Sequence, residues 1–336
     1  MKAYQFADTT GPDALKLVEL PEPKPARGQV LVRVRATSLN YRDLLVSDGR
    51  YGKVALPLIP LSDGAGEIIA VGEDVARWKT GDRVAGTFFQ GWQSGSFRRE
   101  MANTALGGAL NGMLAEYVAL SADGLVAIPS HLSFEQAATL PCAALTAWQA
   151  LVFHGNISAD ETVLLLGTGG VSIFALQFAK LHGARVIITS SSDEKLARAR
   201  ALGADETINY RSTADWEKEV FRLTAEAGVD QVVEVGGAGT FVKSLRSVRP
   251  GGQVHLVGGV SGFTGEVPLA EIIRKLVIVR GIYVGSRAMF EAMSRAVTRH
   301  QSRPVIDRVF LFADAPAAYK YQQSGQHFGK VVISLP

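Results

Sequence analysis

The residues best suited to chemistry lie in a glycine-rich turn, Gly167-Thr168-Gly169-Gly170-Val171-Ser172. A continuously apolar run, Thr162–Gly167, leads into it, and an amphipathic run, Ser172–Gly183, leads out. In that context glycines cradle a pyrophosphate. The first permits a tight turn and the second lets the backbone approach the anion. The helix N-terminus then offers unpaired N–H groups and a partial positive charge. Ser172 stands where a third glycine is more usual, and it is small enough for close helix–strand packing. A dinucleotide site is expected. At the end of the next strand, where an acid would hold the ribose hydroxyls of NAD, the chain carries Ser190, Ser191 and Ser192, then Lys195. Without a carboxylate there is no clash with a 2′-phosphate, hydroxyls can donate to it, and Lys195 adds a cation. NADP(H) is therefore expected over NAD(H). The same serines would also cap a helix beginning at Asp193. Tyr210, just past the third strand, is expected to close over the adenine.

The elements that must position this turn alternate regularly. After Thr162–Gly167 come RVIITS, ETINY, VDQVVEVGG, GGQVHLVGG and KLVIVRGIYVG, separated by helical stretches that include DEKLARARALGA, Trp216–Thr224, Phe241–Ser247 and Leu269–Arg274. Six strands alternating with helices imply right-handed crossovers and a doubly wound parallel sheet. Before residue 126 the pattern is different. VLVRVRATSL (Val30–Leu39) alternates at period two, and GAGEIIAVGEDV and KTGDRVAGTFF follow with Gly-Glu and Gly-Asp bends. These predict a compact antiparallel, barrel-like domain. Residues 90–113 show neither period and read as a long excursion, usually functional or mobile. The tail, 286–336, holds one more helix and a last strand, GKVVISL, expected to return to the first domain. The expected division is 1–125 with 284–336, and 126–283.

Composition excludes several function classes. The chain has 336 residues, 47% apolar and 20% charged, enough for two cores. Thirty-five basic against 32 acidic side chains leave +3, too weak and too evenly spread for a nucleic-acid or anionic-membrane partner. No apolar run approaches the ~18 residues needed to span a bilayer. No signal core follows the N-terminal MKAYQF, so a cytoplasmic protein is expected. One cysteine builds neither a disulfide nor a four-cysteine zinc lobe. His131, His154, His255, His300 and His327 stand singly, and His182 precedes a helix-ending glycine. No pair has metal spacing and no Ser/His/Asp arrangement stands out.

DGAGEIIAVGEDV, GDRVAG, LPCAALTAWQAL, GTGGVS, KLARARALGAD, RPGGQVHLVGG and FGKVVI together resemble the medium-chain dehydrogenase/reductase superfamily over essentially the whole chain. The resemblance implies an α/β protein, a GroES-like β-barrel domain plus a Rossmann doubly wound parallel six-stranded sheet. Zinc-dependent members hold the metal with cysteine, histidine and cysteine. The first position falls in Asn40–Asp43, which has no cysteine. The histidine aligns with Ser62, the glutamate after it with Asp63, and only Cys142 survives. Three protein ligands are usual for catalytic zinc, so no metal is expected. Cys142 reads better as a small buried apolar residue.

NYRDLLVSDGRYG (Asn40–Gly52) resembles the metal-free quinone oxidoreductase and enoyl reductase branch. That resemblance puts Asn40 and Tyr51 beside nicotinamide and substrate, with Asp43 orienting the loop. It puts Thr146 on the nicotinamide side of the cofactor, with the backbone of Val257 and Ile282–Val284 reading the carboxamide. Phe88, Phe89 and Trp92 would line an apolar cleft, or else belong to the core. Lys330 either approaches the cofactor or stays solvated. The expected activity is hydride transfer from NADPH to an apolar electrophile, a quinone or an α,β-unsaturated carbonyl, which spreads incoming charge without a Lewis acid. An alcohol or aldehyde dehydrogenase and a non-catalytic NADPH-binding protein remain alternatives. KLVIVRGIYVG at a sheet edge, where relatives join their sheets, leads to an expected homodimer, with a tetramer also open.

Overall fold

A computed structural model describes residues 1–336. The chain divides into two compact units, Met1–Leu145 with Val284–Pro336, and Thr146–Tyr283. The first unit runs past the expected 125 to Leu145 before the chain enters the second.

In chain order the first unit opens with β1 (Lys2–Phe6) and β2 (Leu15–Glu19), an antiparallel pair. β3 (Gln29–Ser38), α1 (Tyr41–Ser47), β4 (Asp63–Val71), β5 (Arg83–Gly86), β6 (Tyr117–Ser121), β7 (Leu125–Ala127) and α2 (Phe134–Ala137) follow. β3 is the spine. Its alternation buries Val30, Val32 and Val34 on one face, while the other exposes Arg33 between the buried Leu31 and Thr37. β3 pairs antiparallel with β4, with β6 and, at its far end, with the chain's last strand, Lys330–Ser334. The segment read as a long excursion, functional or mobile, is packed. Phe89, Trp92 and Phe97 form an aromatic cluster with centroids 5.0 to 6.0 Å apart, and Met101, Leu106 and Met113 are buried around the same stretch.

α3 (Leu145–Trp148) straddles the boundary. The second unit then runs β8 (Thr162–Leu165), α4 (Gly170–Leu181), β9 (Arg185–Ser190), α5 (Asp193–Ala201), β10 (Glu206–Asn209), α6 (Trp216–Leu223), β11 (Val229–Glu234), α7 (Phe241–Ser247), β12 (Val248–Leu256), α8 (Leu269–Lys275) and β13 (Ile278–Gly281). Its six strands are all parallel, in the order β10-β9-β8-β11-β12-β13. β8 and β9 lie centrally and are almost wholly buried, as their unbroken apolar runs require. The order reverses between β8 and β11, the switch point where such sheets take ligands at the carboxyl ends of their strands.

The tail carries α9 (Arg287–Arg299), β14 (Ile306–Leu311), α10 (Ala315–Gln323) and β15 (Lys330–Ser334), two helices rather than the single one expected. Pro316 in the first turn of α10 starts that second helix, a tolerated position for proline. β15 returns to β3, completing the seven-stranded sheet of the first unit. No helix is long and apolar enough to cross a membrane.

Candidate functional site

The phosphate turn has the geometry its glycines imply. Gly167 sits in the left-handed region at φ 72°, where a side chain strains the backbone. Gly169 is the N-cap of α4 with ordinary extended dihedrals, and a Cβ there would meet no atom within 4 Å. Its bareness therefore serves what approaches from outside. Thr168 is buried, Gly170 and Val171 open the helix half-exposed, and Ser172 Oγ donates to Leu166 O (2.7 Å), tying helix to strand. The first N–H groups of α4 have no intrahelical partner and stand ready for an anion.

Beside that turn, the serines divide their work. Ser190 is buried and its Oγ accepts from the Ser192 amide (3.3 Å), while Ser192 Oγ caps α5 by accepting from Lys195 N–H (3.3 Å). Ser191 and Lys195 are half-buried, and Tyr210, 42% exposed, is held to Ser190 by a backbone hydrogen bond of 3.1 Å. Asp193, from which the sequence predicted only a helix start, brings a carboxylate into this group and accepts from Asn209 Nδ2 (2.7 Å). Val257 lines a cavity of about 310 Å³ at the carboxyl ends of β11 and β12, with Phe241, Leu256 and several glycines. Ile282 continues the ladder by donating to Leu256 O (2.9 Å). Thr146 is buried one turn before Gln149, whose Oε1 accepts from Tyr283 N–H (3.1 Å). Val284, in the first unit, adopts φ 56°, rare for a β-branched residue and a mark of imposed strain.

The first unit gathers a buried charged cluster. Asn40 precedes α1, and its N–H donates to Asp43 Oδ2 (2.7 Å) while Asp43 N–H donates to Asn40 O (3.0 Å), so Asp43 fixes the start of the helix. Asp43 is fully buried with Arg42 Nη1 at 3.3 Å, and burial pushes its carboxyl up to about 6 against the pull of that guanidinium. Arg42 also donates to Leu106 O (2.9 Å) and lies between the rings of Tyr51 and Phe88, 4.6 and 5.0 Å from their centroids. Gly108 makes room for it, since a Cβ there would fall 2.6 Å from Arg42 Nη2. Lys330, expected in solvent, is only 2% exposed, and its Nζ donates to Leu39 O and Asn40 Oδ1, both at 2.5 Å. Asp63 accepts from Ser62 Oγ (2.8 Å) and from the Cys142 N–H (3.2 Å). Burial pushes its carboxyl up, while the Lys330 ammonium, Asn40 and Ser62 pull it down.

Two cations thus face two carboxylates in one desolvated site. This donor set does not fit zinc. Cys142 is the one thiol, burial pushes that thiol up and away from the thiolate a metal needs, and no group of three His, Cys, Asp or Glu is positioned to hold an ion. Cys142 lies in the π-helical turn Leu140–Ala144, half-buried as a residue although its thiol is desolvated, rather than a fully buried apolar filler.

Sequence reasoning passed over Arg42 and set Lys330 aside as solvated. Arg42 had a signal, a guanidinium beside an acid in the otherwise apolar YRDLLVS. Lys330 had none, because only the return of β15 onto β3 brings it to Asn40. Phe88, Phe89 and Trp92 are 1 to 3% exposed and belong to the core rather than to an open cleft wall.

Residues 26–130 match the alcohol dehydrogenase GroES-like domain, and residues 170–299 match the zinc-binding dehydrogenase family model. The chain is 42% identical to a zinc-type alcohol dehydrogenase-like protein of Schizosaccharomyces pombe, covering 98% of this chain and 97% of that one. It is 32% identical to a quinone oxidoreductase of Pseudomonas aeruginosa, covering 99% of each. Its fold matches the crystal structure of a putative alcohol dehydrogenase from Sinorhizobium meliloti with a TM-score of 0.93 and 42% identity, over 99% of this chain and 98% of that one. A dinucleotide turn on a six-stranded parallel sheet, a GroES-like unit that closes with the chain's last strand, and these full-length likenesses identify the chain as an oxidoreductase of the medium-chain dehydrogenase/reductase superfamily.

Proposed function

We propose that this oxidoreductase uses NADP(H) to reduce a quinone or an α,β-unsaturated carbonyl compound without catalytic zinc. The observation that carries the reading is the charge-balanced cluster of Arg42, Asp43, Asp63 and Lys330 around Asn40. A divalent ion there would meet one thiol held protonated by burial and an ammonium already seated between the acceptors. Both raise the cost of binding it. The quinone oxidoreductase relative supports a quinone-type acceptor.

NADPH, when bound, supplies a hydride from C4 of its nicotinamide. Gly167, Thr168, Gly169, Gly170 and Val171 hold its pyrophosphate at the start of α4. Ser191, Lys195 and Tyr210 would receive the adenosine end beside Ser190, while Thr146, Val257 and Ile282 would receive the other. Asn40 Nδ2 donates to the acceptor's oxygen as charge develops there, and Tyr51 delivers the proton that completes a two-electron reduction. Arg42 braces the Tyr51 ring, and Asp43 holds Asn40 at the head of α1.

Purified protein assayed for loss of NADPH absorbance against quinones, enones, aldehydes and alcohols should turn over the first two classes with no stoichiometric metal by mass spectrometry. NADPH should bind more tightly than NADH in a fluorescence titration. Tyr51→Phe should lower turnover on an enone ~10- to 100-fold with NADPH affinity nearly unchanged. A stoichiometric zinc together with alcohol oxidation would replace this reading with that of an alcohol dehydrogenase. We also propose a homodimer, supported by the exposed outer strand β13.

A further inference from the structure

We propose that Lys330 is a positioning residue whose buried ammonium, by holding Asn40 Oδ1, fixes the amide so that Nδ2 is the hydrogen-bond donor to the oxygen of the acceptor. An ammonium has only donors, so the Asn40 atom facing it must be the carbonyl oxygen. The reversed amide would set donor against donor in a site closed to water. Nδ2 is buried and reaches towards Asp63, whose carboxyl it pulls down, without an aligned hydrogen bond.

Lys330 is itself over-determined. Leu39 O takes a second of its protons, and although burial pulls the ammonium down, Asp63, the Cys142 thiol and Asp43 oppose that pull. Backbone pairing of β15 with β3 sets its height, since Val332 faces Ser38 and Lys330 therefore arrives opposite the start of α1. Without that ammonium only Asp63, towards which Nδ2 reaches, favours one of the amide's two orientations. One of them presents a carbonyl to a developing oxyanion and repels it.

The inference rests on Asn40 facing the reacting groups, as proposed above, and the test separates the two. Lys330→Met is made together with Asp63→Asn, so that no carboxylate is left unpaired. The double variant should melt near the wild-type temperature and bind NADPH normally. Its kcat on 2-cyclohexen-1-one should be lowered ~10- to 30-fold, with a smaller change in KM. Lys330→Gln on the same Asp63→Asn background restores a donor and should recover part of that loss. A folded Lys330→Met/Asp63→Asn protein with wild-type kcat overturns the inference. Should that pair not fold, Lys330→Arg is read instead. It keeps the charge but not a single donor seated on Oδ1, so kcat should fall, and wild-type kcat in it counts against Lys330. In parallel, Asn40→Asp keeps an acceptor for Lys330 but removes the donor, and should also lose ~10-fold or more in kcat. Full activity in Asn40→Asp overturns the reading of the site itself. Loss there combined with indifference to Lys330 overturns only the role given to the lysine.

Discussion

At the scale of single residues, Asp43 shows how burial and pairing compete. The Arg42 guanidinium and the Asn40 amide favour its charged form, but desolvation wins and the carboxyl titrates near about 6. A carboxyl raised above its unfolded value binds its proton more tightly in the native state. Its contribution to stability is therefore present below the unfolded value of 3.8 and is lost as pH rises through about 6. Denaturant unfolding of wild type and Asp43→Asn at several pH values should show the wild type losing ground to the variant between pH ~4 and ~6, then running parallel above ~7. A difference that grows in the opposite sense would mean that Arg42 holds the carboxylate ionised. Sequence reasoning reached Asp43, Asn40 and Tyr51 through local likeness. It could not rank the surrounding charges, because a cation on the last strand has no sequence neighbour in common with them.

At the scale of elements, the turn between β8 and α4 assigns its two leading glycines separate duties. Gly167 is needed by the protein, since φ 72° places any side chain in the left-handed region at a cost of about 1–2 kcal/mol. Gly169 is not needed by the fold, since its dihedrals suit any residue and the space beyond it holds no protein atom within 4 Å, and the proposed cofactor would use that space. Gly167→Ala should therefore lower the melting temperature. Gly169→Ala should leave it nearly unchanged yet weaken NADPH binding roughly tenfold, about 1.4 kcal/mol. Calorimetry and a fluorescence titration on both variants check this, and equal loss of stability in the two would refute the division of labour. The strand–turn–helix pattern was legible because both periodicities and the glycines fall within one short stretch. The packed aromatic excursion after β5 was not, because its order comes from long-range ring contacts and carries no period.

At the scale of the whole molecule, the outermost strand of the parallel sheet is the anomaly. A doubly wound sheet buries its strands on both faces, yet all four residues of β13 are exposed, Ile278 and Val279 by 47% and 38%. Leu269, Ile273 and Leu276, on or just after α8, are 66 to 75% exposed. An apolar edge with unpaired backbone groups invites a partner strand, which the proposed second copy would supply. Light scattering at micromolar concentration should give twice the chain's mass. Ile278→Lys should shift the protein towards monomer with an unchanged far-ultraviolet spectrum. A wild-type monomer, or a dimer indifferent to that lysine, would count against pairing along β13.

The alternation of strands and helices from residue 162 to 281 and the phosphate turn were determined by sequence alone, because each element's pattern lies in residues within a few positions of one another. Hydrophobic period, turn glycines and helix caps are local quantities. Tertiary structure decided that Lys330 is buried against Asn40, that Arg42 lies between two rings, and that Ser190 turns inward while Asp193 enters its neighbourhood. These depend on which strands pair and how deeply each group is desolvated. The free energy of a charge in a protein follows from the surroundings it folds into rather than from the residues beside it in the chain.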